Sequence, residues 1–380
     1  MREHQAESFW WEEVAGPYSL VRNIVDAVSE CKNVILSLPA DIPWRHQMRN
    51  SVRSVLESTP GLDSLYIEIL DVEDVAASAT PGELILNEFA LYEDRIRYRA
   101  GKESIHHYSM RKGLLNDKIV WIKGANRKDT ELWIEFCRQW RPNDSNQGVF
   151  VIEDRWGIGD PTRALHTISY SECIDDNSVR LFAWSILAQN KLSKFGPVQR
   201  RYAVSLLANL CKDDVEVAVA LLDNLDIQHD DPLLCIREIA SSDILSRRGE
   251  PTSAHVLALA REGREDELQH RLWTAQIEVL FPIIEEERIA IIDRLEDELS
   301  ALIEEKSIKQ FEILVTEAHE VELGTLVYLM SSKTEKGDRK LYVSNHEIRD
   351  RIIMLWRCRN LLAHRKVCSP NLVDMLLNGI

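Results

Sequence analysis

The chain has no unbroken apolar run near the ~18 residues that a membrane-crossing helix needs, and no basic-then-apolar leader opens it. Its seven cysteines (Cys31, Cys137, Cys173, Cys211, Cys235, Cys358 and Cys368) are odd in number and scattered, with no CxxC and no Cys/His pair at zinc spacing. That suits reduced thiols in a cytoplasmic protein better than a disulfide framework. An excess of positive charge is also missing. With 46 basic against 62 acidic residues the net charge is −16, and such a surface repels duplex DNA globally. Any nucleic-acid contact therefore has to use a local basic patch. No GxSxG, HExxH or dinucleotide fingerprint occurs, and neither repeats nor low-complexity tracts interrupt the chain.

What is present is a globular composition, 45% apolar and 28% charged over 380 residues, enough for two or three domains. The first ~175 residues alternate short β-rich apolar runs with helical stretches. Val34–Pro39, Leu65–Val72, Ile119–Ile122, Gly148–Glu153 and, more weakly, His166–Ile174 read as strands. An amphipathic stretch through Met48, Val52, Val55 and Leu56 and another through Leu132, Trp133 and Phe136 read as helices between them. Strand, helix and strand in alternation predict a mainly parallel sheet with helices on both faces. From residue 178 onward almost every segment has a helical period, so the boundaries expected are an α/β domain over 1–177, a helical lid or linker over 178–262 and an all-α domain over 263–380.

The order of those strands resembles the core of the AAA and STAND group of P-loop NTPases. In that layout the first strand feeds a phosphate loop, the third carries a metal-binding acid and the fourth ends in a polar sensor. The resemblance spans residues 20–230 and is topological. At the decisive loop the chain reads Ser37-Leu38-Pro39-Ala40-Asp41-Ile42-Pro43-Trp44-Arg45, with no glycine, no lysine, two prolines lacking N–H groups and an acid that would repel phosphate. The third strand ends Ile122-Lys123-Gly124-Ala125, without the acid that holds magnesium. This domain is expected not to hydrolyse nucleotide, and to serve for sensing or docking. Glu153-Asp154-Arg155, the best polar cluster left, reads as a solvated strand end.

The strongest chemical signal is Arg359-Asn360-Leu361-Leu362-Ala363-His364, on a segment of strong helical period. At 100° per residue, Ile348, Ile352, Leu355, Arg359 and Leu362 share one stripe. Arg359 is thus expected on a face that should be buried, where it needs a carboxylate, an interface or a phosphate. Asn360 and His364, one turn apart, fall on the flank of the stripe. Ser344 with Glu347 reads as a capping box starting this helix, and Ser369-Pro370 as the start of a last one.

These residues resemble the R-x4-6-H motif of the HEPN family of all-α domains, over residues 265–380. What the resemblance implies is a metal-independent ribonuclease. His364 would be general base or acid at the ribose 2'-hydroxyl, Arg359 would stabilise phosphoryl charge, and Asn360 would orient the histidine or the phosphate. Glu320 and Glu322 are the candidate additional acids. Two motif helices would pair across a homodimer, or against an operon-encoded protein, with RNA as substrate and no cofactor, metal or membrane. The combination resembles toxin and phage-defence proteins. The alternative is a non-enzymatic scaffold or adaptor in a multi-protein complex, in which the motif helix is only a dimer seam.

The remaining features read as structural. Trp10-Trp11 and Trp44 should pack, and His106-His107 point apart with no third metal ligand nearby. Arg200-Arg201 with Lys191 and Lys194 form a basic cluster. Glu285-Glu286-Glu287 and Glu296-Asp297-Glu298 read as exposed helix faces. Pro282 should kink or split the long helix around it.

Overall fold

Runs such as Val34-Ile35-Leu36 and Val149-Phe150-Val151-Ile152 carry apolar side chains at successive positions, so they can be satisfied only where both faces of a sheet are covered. The computed structural model, which describes residues 3–73, 79–159, 165–189, 195–226, 229–242, 254–310, 313–334 and 337–378, builds that sheet. Lys191 and Lys194 lie outside the described residues. By internal contacts the chain falls into two compact units, one of Met1–Phe182 with Asp213–Glu216 and Ser246–Thr252, the other of Ala183–Lys212, Val217–Leu245 and Ser253–Ile380.

In the first unit, β1 (Asn33–Ser37), β2 (Tyr66–Asp71), β3 (Lys118–Lys123), β4 (Val149–Asp154) and β5 (Leu165–Ser169) form one sheet in the order β2-β3-β4-β1-β5. Every neighbouring pair is parallel. The helices are α1 (Glu3–Glu12), α2 (Ala15–Ser29), α3 (Arg45–Ser58), α4 (Pro81–Phe89), α5 (Tyr92–Arg97), α6 (Ile105–Lys112), α7 (Arg127–Gln139) and the single turn α8 (Tyr170–Cys173). The fifth strand is shorter than its apolar pattern suggests because its partner ends: Ser169 pairs with Ser37, the last residue of β1, and the chain then turns into α8.

Asn33 ties this unit together. Fully buried at the start of β1, its amide donates to the carbonyls of Cys137 and Trp140 (both 3.0 Å) and accepts from the Phe150 N–H (3.0 Å). One side chain thereby fixes the end of α7 against β4. Around it Trp133, Phe136, Trp140 and Phe150 stack edge to face, and Trp10 and Trp11 are buried as expected of packing residues. His106 stacks on Phe136 and bonds its carbonyl, whereas His107 turns to Glu103, so the two histidines do point apart.

Of the charged strand end Glu153-Asp154-Arg155, Arg155 is exposed as expected but the two acids are not solvated. Glu153 is 2% exposed, and its carboxylate accepts from Arg49 (2.6 and 3.1 Å), Arg45 (3.3 Å) and the Trp121 indole (2.8 Å). Asp154 is as deeply buried and accepts from the backbone N–H groups of Trp156, Ile158 and Gly159, closing the loop after β4 on itself. Burial of an ionised carboxylate is tolerable only with this many donors. The carboxyl ends of β1 and β4, the place where open parallel sheets take ligands, are therefore bridged by an internal ion-pair network.

Beyond β5 the chain is helical: α9 (Asp176–Gln189), α10 (Pro197–Cys211), α11 (Val215–Asn224), α12 (Pro232–Ala240), α13 (Val256–Arg261), α14 (Glu265–Arg294), α15 (Glu296–Glu304), α16 (Leu323–Ser331), α17 (His346–Ala363) and α18 (Pro370–Leu377). A two-stranded antiparallel ribbon, β6 (Lys309–Gln310) and β7 (Ile313–Leu314), is the exception. The second unit is organised on α14, which packs against α10, α17 and α18. Pro282 does not split it. The helix runs unbroken for 30 residues, with Pro282 exposed where water can serve the carbonyl it leaves unbonded. No helix among the described residues is long and apolar enough to cross a membrane.

Replacing Glu153 with Gln keeps the shape but leaves Arg45 and Arg49 buried without a counter-charge. Urea denaturation of E153Q should show a loss of about 3–5 kcal/mol; a change below ~1 kcal/mol would mean that the two arginines reach solvent instead.

Candidate functional site

The motif helix begins one residue later than a Ser344 cap would place it. Asn345 is the N-cap, its side-chain oxygen accepting from the N–H groups of Glu347 (2.8 Å) and Ile348 (3.4 Å). The C-cap is His364 itself, with its N–H bonded to the carbonyls of Asn360 (3.1 Å) and Leu361 (3.2 Å). Ser369 and Pro370 do open α18, with proline in the first turn.

The buried face of α17 consists of Arg351, Ile352, Met354, Leu355, Cys358 and Leu362. Its centre line is Arg351-Leu355-Cys358-Leu362, and Arg359 lies about 60° to one side of it at 100° per residue. Arg359 is accordingly not buried in the stripe; its side chain is 36% exposed. The arginine that the core does swallow is Arg351, at 6% exposure. It donates from Nε (2.6 Å) and Nη2 to the two oxygens of Glu287 and from Nη1 to the Met375 carbonyl. The need for a buried partner, expected of Arg359, applies to Arg351. For the same reason Glu285-Glu286-Glu287 is not simply an exposed face: Glu287 holds Arg351, and Glu285 holds Arg288 (2.8 Å).

Arg359 opens onto a cleft of about 250 Å³ lined by Glu285, Arg288, His319, Glu320, Glu322, Leu323 and itself. Both acids singled out from sequence, Glu320 and Glu322, are in this lining. They do different things. Glu320 closes a 3-10 turn (Ala318–Glu320): its Oε2 accepts from the Thr316 N–H (3.0 Å), the Thr316 hydroxyl (3.3 Å) and the Glu317 N–H (3.3 Å). Those backbone donors hold its carboxyl below the ordinary glutamate range. Glu322, at the N-terminus of α16, makes no side-chain cap and sits 3.6 Å from the Arg359 guanidinium. That is an ion pair without a hydrogen bond, worth no more than about 1 kcal/mol at this exposure.

The wall is braced by Arg288, whose Nη1 donates to the carbonyls of His319 (2.9 Å) and Val321 (3.1 Å). Gln310 braces it from the other side, donating to the Glu320 carbonyl (3.0 Å) and accepting from the Glu322 N–H (2.8 Å) and the Thr325 hydroxyl (2.7 Å). Electrostatically the cleft is mixed, with three carboxylates facing two guanidiniums and one imidazole.

Asn360 and His364 are not among the residues lining this cleft. They lie opposite the buried stripe rather than on its flank, with His364 exposed and Asn360 half-buried. Neither side chain makes a hydrogen bond or ion pair with any other described residue. Along the helix Arg359 and His364 are about 140° apart, so one chain presents them to different sides. The exposed strip that carries them also carries Ile353 and Trp356, 46% and 36% exposed. Just behind His364 the chain is clamped: Trp273 Nε1 donates to the Leu362 carbonyl (2.8 Å), and the buried Gln276 amide exchanges two bonds with the Cys368 backbone (3.0 and 2.7 Å).

Sequence reasoning overlooked Arg351, Arg288 and His319. The first had a signal, since it stands four residues before Leu355 and seven before Cys358 on the true apolar stripe. The other two depend on how the segment between β7 and α16 folds back on α14, which no local spacing reveals.

Arg351→Ala and Arg359→Ala separate the two arginines. The first strands Glu287 in a partly buried site and should cost about 3–5 kcal/mol in urea denaturation, whereas the second should stay within about 1 kcal/mol of wild type. Comparable losses would place Arg359 in the core. No protein-family model matches this chain, and no curated protein is detectably similar to it.

Proposed function

We propose that the protein is a metal-independent ribonuclease of HEPN type, with α17 as the motif helix and the N-terminal α/β unit as a sensor or docking domain without nucleotide hydrolysis. The observation that carries the reading is the state of the three motif side chains. Arg359 faces a cleft with only a loose 3.6 Å ion pair, while Asn360 and His364 stand unbonded on the free face of a well-packed helix. Arg351, by contrast, is fully engaged in holding the helix.

In this reading a phosphodiester displaces Glu322 from Arg359, whose planar fork then holds two phosphoryl oxygens as charge builds on them. His364 exchanges a proton with the 2'-hydroxyl or the leaving oxygen. The angle between Arg359 and His364 favours a second motif helix, so that the histidine of one copy complements the arginine of the other. Ile353 and Trp356, exposed between the polar residues, provide the apolar contact for a homodimer or an operon-encoded partner. The N-terminal unit supports its assigned role negatively: Glu153, Arg45 and Arg49 satisfy one another where a phosphate would sit. Release of such an enzyme on infection suits a toxin or phage-defence system in the cytoplasm.

A scaffold or adaptor is the second reading, favoured by the three carboxylates in the cleft, which oppose an RNA backbone. The two readings part on one assay. Incubated with RNA in excess EDTA, the wild type should cut and leave 2',3'-cyclic phosphate ends, and Arg359→Ala or His364→Ala should each slow cutting by about 100-fold or more. No cutting by the wild type, alone or with its genomic neighbours, or equal cutting by both variants, would remove the ribonuclease reading. A seam role would appear instead as lost oligomer in Trp356→Ala with no RNA product from any form.

A further inference from the structure

We infer that His319, outside the R-x4-H motif, is a proton-transfer residue of the Arg359 cleft, acting on the ribose 2'-hydroxyl of a bound phosphodiester. The inference rests on the ribonuclease reading and names a catalytic group that the motif does not contain. Three observations carry it. His319 and Arg359 line the same cleft of about 250 Å³, whereas His364 does not line it. The imidazole is open to the cleft, with 60% of the side chain exposed and a single loose contact to Asp293 at 3.7 Å. Its backbone, in contrast, is held: the His319 carbonyl accepts from Arg288 (2.9 Å), and the turn that carries it is tied by Glu320 to Thr316 and Glu317. The braced turn keeps the imidazole at the cleft, and its ring is free to meet a bound substrate.

The other lining groups are disqualified by what they do. Glu320 spends an oxygen on three donors and is a weakened base. Glu285 is paired with Arg288, and Arg288 is itself committed to two carbonyls. Glu322 neutralises Arg359 until substrate arrives and would then be repelled by the phosphate. Leu323 has no proton to move. The His319 imidazole is the remaining lining group that can both accept and release a proton.

The step balances without a metal or a redox partner. Neutral His319 takes the 2'-hydroxyl proton as that oxygen bonds to phosphorus. The bond from phosphorus to the 5'-oxygen breaks, and the leaving oxygen takes a proton from His364 of the second copy, which regains one from solvent. The products are a 2',3'-cyclic phosphate and a 5'-hydroxyl, and His319 returns its proton to solvent. Arg359 holds the non-bridging oxygens throughout.

The test uses the full-length protein, a labelled RNA oligonucleotide in EDTA, and an all-deoxy oligonucleotide of the same sequence as an uncleavable probe. His319→Ala and His319→Gln should each cut at least 100-fold more slowly under single-turnover conditions. Both should still bind the deoxy probe within threefold of wild type by fluorescence anisotropy, and should keep the wild-type melting temperature. Free imidazole added to His319→Ala should restore part of the rate, a response that a structural histidine would not give. Cutting by His319→Ala within threefold of wild type overturns this assignment and leaves the ribonuclease reading standing. Loss of probe binding in parallel with rate also overturns it, making His319 a binding group. If the wild type cuts no RNA, the ribonuclease reading fails and the assignment falls with it.

Discussion

The bidentate pair between Arg351 and Glu287 sets the geometry on which everything at the candidate site depends. A helix docked by apolar contacts alone is oriented only by the fit of side chains, which other apolar residues of similar volume can also supply. A guanidinium clamped to both oxygens of a carboxylate on α14, and to a carbonyl of α18, cannot roll without losing several charge-assisted bonds at once. With α17 fixed in rotation, Arg359 is committed to the cleft beside α16, and Asn360 and His364 to the outer face. Removing one partner would leave a charge stranded, which makes the pair a device for specificity of packing as much as for stability.

A similar logic governs the sheet. Glu153 stands at the carboxyl end of β4, where a nucleotide-binding sheet keeps its polar groups free for a ligand. Here the two arginines of α3 and the Trp121 indole consume that carboxylate, and Asp154 folds its own loop. The groups that would contact a phosphate are internally satisfied, so binding one would mean breaking bonds already made.

Much of the sheet was legible because its cause is local. Val34 to Leu36 and Val149 to Ile152 are apolar at consecutive positions, and only burial on both faces accounts for that. The rotation of α17 was not legible to the same degree. Arg359 counts into the expected stripe because that stripe is drawn through Ile348 and Ile352, about 45° from the true centre line through Arg351 and Cys358. The fold shows that the helix buries the arginine that has a carboxylate facing it, and Glu287 comes from 64 residues away. The exposed reading of Glu285-Glu286-Glu287 failed for the same reason. The cleft also joins segments whose meeting depends on the chain between β7 and α16, where Gln310 and Arg288 hold turns that have no periodic signature.

The charge of the cleft bears on how such a site would be controlled. Net charge is −16, and the lining adds three carboxylates around two guanidiniums, so an RNA backbone approaching one free chain meets repulsion before it meets Arg359. Within a Debye length, about 8–10 Å at cellular ionic strength, local positive charge can reverse that. In the described part of the second unit the residues just after the motif, Arg365 and Lys366, are cationic and exposed, with Arg365 laid over the Trp273 ring at 5.5 Å. They lie at the end of α17 that carries His364. A second motif helix docked against the outer face would bring that cationic end toward a neighbouring Arg359, supplying both the missing histidine and the missing positive charge. In the proposed ribonuclease, assembly would then act as the switch, because the second copy adds positive charge to the cleft as well as His364.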